Sequence, residues 1–97
     1  MICAINDNAL LGAYQVWKAA GHVGDDIGFF GADADTEALQ LIAEGTSYRG
    51  TVSLTAETSF PEMIDACVDY VNGKEIPEEI FFGMAMVTPE NVADYLE

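Results

Sequence analysis

The chain has 97 residues, enough for one domain with a small core. Its 17 acidic against 3 basic residues give a net charge of −14. That balance disfavours nucleic acid and anionic lipid as partners, because phosphate binding needs clustered lysine and arginine. A hydrophobic share of 51% argues against disorder, and no apolar run reaches the length of a membrane span. Cys3 and Cys67 stand in no metal-ligand spacing, so no zinc is expected and both thiols are expected free and buried. Met1 is followed at once by a strand-like run without the basic start of a signal peptide.

Met1 to Ile5 is a short apolar run, expected as a buried parallel strand, and it stops at Asn6-Asp7-Asn8. Leu10, Ala13, Tyr14 and Trp17 then fall at helical spacing, and Gly21 is the expected stop. Asp7 thus lies where a strand's carboxyl end meets a helix's amino end. Two roles are open to it there: an N-cap, or a ligand contact, since ligands in open α/β sheets bind at that edge. His22-Val23-Gly24-Asp25 reads as a polar loop, with His22 solvated.

Asp26 to Gly31 reads as a second strand, followed by Asp33 and by a helix capped at Asp35 and closed by Gly45. Asp33 repeats the placement of Asp7, so the two carboxylates are expected to face one crevice. Gly50 to Thr55 is a third strand with Thr51, Ser53 and Thr55 on a more polar face. Ser59-Phe60-Pro61-Glu62 reads as a capping box with an early proline. The stripe Phe60, Met63, Ile64, Cys67, Val68 and Val71 that follows is expected to be core, ending at Gly73. Ile80 to Val87 is apolar on both faces and is expected as a central or crossing strand. A short helix capped by Thr88 follows, with Pro89 at its first position. Four strand–helix units imply an α/β fold, a mainly parallel sheet with helices on both faces.

The chemistry in view is recognition. The chain has no GxxxxGK[ST] loop and no GxSxG elbow. One ionised carboxylate accepts from two adjacent hydroxyls at once, and charge-assisted bonds are the strong ones. Asp7, with amide donors from Asn6 and Asn8, suits a polyhydroxylated ligand and needs no covalent step. No catalytic residue, metal or cofactor is assigned.

The segment Ala4-Ile5-Asn6-Asp7-Asn8-Ala9-Leu10-Leu11-Gly12-Ala13 resembles the "aNDxxAlGA" motif of the ribose-binding-like, type 1 sugar-binding proteins of ABC importers. Gly31-Ala32-Asp33-Ala34-Asp35-Thr36-Glu37-Ala38-Leu39 resembles that family's "GfDgtpeAL", and Val87-Thr88-Pro89-Glu90-Asn91-Val92 its closing "VTpeNv". Order and spacing agree across essentially the whole chain. The resemblance implies a periplasmic-binding-protein-like or flavodoxin-like fold. It also implies that Asp7 bonds sugar hydroxyls, that Asn6 assists, and that Asp33 lines the cleft between two lobes. A glutamine that often touches the sugar in the family has Leu54 or Thr55 as its nearest match here.

The match covers only the C-terminal portion of such a protein. It implies one partial domain: residues 1–49 in the C-terminal lobe, 50–75 in the N-terminal lobe, and 76–97 as a crossing strand and final helix. A small sugar as ligand, importer membrane components as partners, and a periplasmic or extracellular, membrane-associated location follow from the same resemblance. Uncovered cleft and hinge surfaces would favour self-association. Two other classes fit the residues: the effector-binding core of a LacI-type repressor, and a small acidic enzyme using Asp7 and Asp33 with a divalent metal.

Overall fold

The computed structural model describes residues 1–22, 26–54 and 56–96, with the backbone alone for 56–58. The loop positions Val23, Gly24 and Asp25, and Thr55 at the expected end of the third strand, lie outside the described residues. The elements in order are β1 (Ile2–Cys3), α1 (Asp7–Ala19), β2 (Phe29–Ala32), α2 (Thr36–Ala43), β3 (Tyr48–Ser53), α3 (Ala56–Val71) and β4 (Ala85–Val87), then a 3₁₀ turn at Val92–Asp94. The strands form one sheet in the order β1-β2-β3-β4. The first three are parallel, and β4 joins β3 antiparallel, with Thr51 opposite Val87.

Helix α1 forms because Leu10, Leu11 and Tyr14 share a buried face. Leu11 takes the inward place expected of Ala13, which is exposed. Asn6 is the N-cap: its side-chain oxygen accepts from the Ala9 N–H at 3.0 Å. Gly21 follows the helix with φ 84°, a conformation that a Cβ would oppose. Gly45 and Gly73 close α2 and α3 with φ of 73° and 78°.

The core lies between the sheet and α1 with α2. Leu10, Phe29, Ala38, Ile42, Tyr48 and Val87 are fully buried in one cluster. Burying each of the large side chains contributes about 1.5–3 kcal/mol. Tyr14 is the hinge of the aromatic packing, meeting Phe29 edge-on at 5.3 Å and Tyr48 at 6.0 Å. Trp17 extends the cluster, with Phe29 at 5.4 Å and the exposed His22 stacked on its other side at 5.7 Å.

Several expectations are corrected. The first strand is two residues long and lies at the sheet edge, so Met1 and Ile5 are 86% and 90% exposed. Both cysteines are free but exposed. Strand pairing in the last apolar run is confined to Ala85–Val87, and Phe81 and Met84 are exposed. Thr88 does not cap a helix; its N–H donates to the Asn91 side chain at 2.8 Å, closing a turn. Helix α3 starts at Ala56, ahead of the expected capping box, with Pro61 inside it and the Ser59 hydroxyl donating to the Leu54 carbonyl.

The largest difference is α3 itself. Phe60, Met63, Ile64, Val68 and Val71 are 44–83% exposed, so the stripe is not core in this chain. The radius of gyration is 16.9 Å, against about 12.5 Å for a compact domain of this length. The molecule measures 57 × 24 × 18 Å, an elongated body in which the apolar stripe of α3 is largely exposed among the described residues.

This division of the chain has a direct consequence. Ile42→Ala is expected to cost about 2–5 kcal/mol, because it empties a packed site. Ile64→Ala is expected to stay within about 0.5 kcal/mol. Urea unfolding followed by the fluorescence of Trp17 measures both.

Candidate functional site

The parallel strands β1 and β2 end side by side, at Cys3 and Ala32, and hand over to two loops that start α1 and α2. The three sequence-predicted site residues stand in these loops. Asn6 is half-buried at the α1 cap and Asp33 is exposed just past β2. Asp7 is 0% exposed.

Asp7 therefore lies beneath the rim rather than on it. Its carboxylate accepts from the Tyr48 hydroxyl at 2.6 Å and from the Thr51 hydroxyl at 2.7 Å. It also accepts from the Asp35 N–H at 3.0 Å. The arrangement anticipated for a ligand, one carboxylate gripping two hydroxyls, is met by the protein's own side chains. Charge-assisted bonds of this length offset much of the cost of burying the charge. Among the described residues no buried side-chain nitrogen or oxygen lacks a partner.

The same network holds the loop that carries Asp33. Three consecutive N–H groups are tied down, two to β3 and one to the start of α1. Asp33 N–H donates to the Val52 carbonyl at 2.8 Å, Ala34 N–H to the Thr51 hydroxyl at 3.2 Å, and Asp35 N–H to Asp7. Asp33 and Ala34 sit at φ 103° and 56°, left-handed values that cost a non-glycine residue energy. Gly31 is required by proximity: a Cβ there would overlap an Asp7 carboxylate oxygen and stand 2.8 Å from the Tyr48 hydroxyl.

Electrostatics follow from this crowding. Burial pushes the Asp35 carboxyl above its ordinary value, and the charges of Asp7 and Asp33 push the same way. Burial, the hydrogen bond to Asp7 and the nearby negative charges raise the Tyr48 phenol far above its usual range. It stays protonated and remains a donor. Among the described residues no cluster of histidine, cysteine, aspartate or glutamate is arranged to hold a metal.

Sequence reasoning missed Tyr48 and Thr51. Thr51 had a signal, since the polar alternation of the third strand marked it. Tyr48 had none, because its partner is 41 residues away. Asp35 stands at the N-cap position of α2, but its side chain makes no capping bond.

The raised Asp35 value sets a pH prediction. The folded state holds that proton more tightly than the unfolded chain does. The stabilisation is fully present below the ordinary value of 3.8 and is lost as pH rises through the raised folded value. Asp35→Asn is therefore expected to be more stable than the parent at pH 7 and equal to it below the ordinary carboxylate range. Thermal unfolding across pH 3–7 checks the convergence.

No family model matches the sequence. A protein of Rhizobium meliloti named as rhizopine-binding is 31% identical over 94 residues, covering 97% of this chain and 30% of its own length. The solute-binding protein of an ABC transporter from Mycobacterium smegmatis, solved with bound glycerol, superposes with a TM-score of 0.86 at 27% identity. It is covered over 32% of its chain by 98% of this one. The corresponding protein of Bacillus halodurans C-125, solved with bound myo-inositol, gives a TM-score of 0.76 at 30% identity, covering 98% of this chain and 33% of that one. The chain spans about a third of the length of these relatives. Over nearly all of its own length, this chain is similar to one third of a solute-binding protein of an ABC transporter, with the α/β fold of the periplasmic binding proteins.

Proposed function

We propose that this chain supplies one wall of a polyol- or sugar-binding cleft, as part of a solute-binding protein of an ABC importer. The observation that carries the reading is the placement of Asn6 and Asp33 in the loops that follow two adjacent parallel strands. It is supported by likeness to proteins solved with glycerol and with myo-inositol. The cap consumes the Asn6 side-chain oxygen but not its amide donors. Asp33 offers acceptors only, when ionised. Donor beside acceptor suits a hydroxyl group, which both gives and takes a hydrogen bond. Asp7 serves from below, holding both loops.

Binding of this kind breaks no bond and needs no cofactor. The relatives are named for binding rather than for catalysis. A periplasmic location and importer membrane components as partners go with the same reading. The uncovered α3 stripe and the segment before β4 fit a larger protein in which another part of the structure covers them, with the chain between β3 and β4 reaching toward a second lobe.

A thermal-shift titration with myo-inositol, glycerol and D-ribose tests the reading. A ligand at roughly five times its Kd adds about 1 kcal/mol, which moves the Tm of a domain this size by about 4–8 °C. At least one of the three is expected to raise Tm, and Asp33→Ala is expected to abolish the rise. No shift with any polyol would contradict the proposal.

A further inference from the structure

We infer that Asp7 and Thr51 form a buried lock that fixes the left-handed loop at Asp33 and Ala34, and so sets where Asp33 stands relative to Asn6. The inference rests on the polyol-binding reading for its purpose, but the lock itself stands on geometry. Two consecutive non-glycine residues with positive φ do not hold that shape unaided. Something must outweigh the strain, and the structure supplies three anchors in a row on the N–H groups of residues 33, 34 and 35.

Thr51 is the joint of the device. Its hydroxyl donates to Asp7 and accepts from the Ala34 N–H, so one oxygen connects the carboxylate to the loop. Asp7 in turn is the first residue of α1, directly after Asn6. The carboxylate therefore ties the start of one helix to the loop before the other. Asn6 and Asp33, the two rim groups, are held as one unit through that carboxylate. Tyr48 fixes the other carboxylate oxygen from the sheet, and Gly31 leaves the space the carboxylate occupies. Asp7 and Thr51 are thus positioning residues. The ligand class they serve is one that bridges neighbouring hydroxyls across a fixed donor–acceptor spacing.

The test compares the full chain with Thr51→Val and Thr51→Ser. Valine keeps the shape and removes the hydroxyl; serine restores it. Two readouts are taken: amide hydrogen exchange by NMR, and affinity for myo-inositol by calorimetry. In Thr51→Val the amides of Ala34 and Asp35 are expected to exchange about tenfold faster, the equivalent of one lost hydrogen bond. The amides of Ile42 and Tyr14 in the core should keep their protection. Affinity is expected to fall by about the same factor, and Thr51→Ser should recover both. Unchanged exchange at Ala34 and Asp35 would overturn the lock, and so would equal loss of protection through the core. Faster loop exchange with unchanged affinity would overturn the positioning role. A parent chain that binds no myo-inositol would count against the polyol reading alone, and the exchange result would still decide the lock.

Discussion

A carboxylate taken wholly out of water must be met by donors, or it destabilises the fold that buries it. Asp7 is such a group, and the strand-end half of this molecule is arranged to satisfy it. Tyr48 and Thr51 on β3 supply hydroxyls, and the chain entering α2 supplies an N–H. Those donors come from two segments far from Asp7 in sequence, so satisfying one charge fixes how they sit around it. Gly31 must lack a side chain because of it, and the Tyr48 phenol keeps its proton because of it. The rim residues Asn6 and Asp33 inherit their placement from this buried centre.

Stability and function are distributed unequally along the chain. The buried side chains of α1, β2, α2 and β3 pack around the aromatic cluster of Tyr14, Phe29 and Tyr48. Beyond β3 the pattern changes. Val87 and Val92 return to the core, but α3 and the stretch before β4 leave their apolar side chains outside it. An apolar stripe left uncovered over most of a 16-residue helix is uneconomical in water. It is intelligible in a chain that covers a third of the length of its relatives.

Local chemistry made much of this fold legible. The glycines at 21, 45 and 73 end helices as their positions suggested, and the helical spacing of Leu10, Tyr14 and Trp17 located α1. Three parallel strands followed from the alternation of patterns. The direction of β4 was not legible, because periodicity carries no strand polarity. The exposure of α3 was not legible either: a stripe tells which face is apolar, not what lies against it. At the site, the sequence pointed to the two loops that the Asp7 carboxylate joins. It did not reveal which of Asn6 and Asp7 caps the helix, nor that Asp7 turns inward, because its hydroxyl partners lie 41 and 44 residues away.

The claim on which the rest depends is that Asp7 is energetically coupled to the hydroxyls beneath the rim. A double-mutant cycle on Asp7→Asn and Tyr48→Phe, read by urea unfolding, measures that coupling directly. The two changes are expected to be non-additive by about 1–3 kcal/mol, as for groups sharing one buried hydrogen bond. Additivity within about 0.5 kcal/mol would mean that the carboxylate and the phenol do not meet as described.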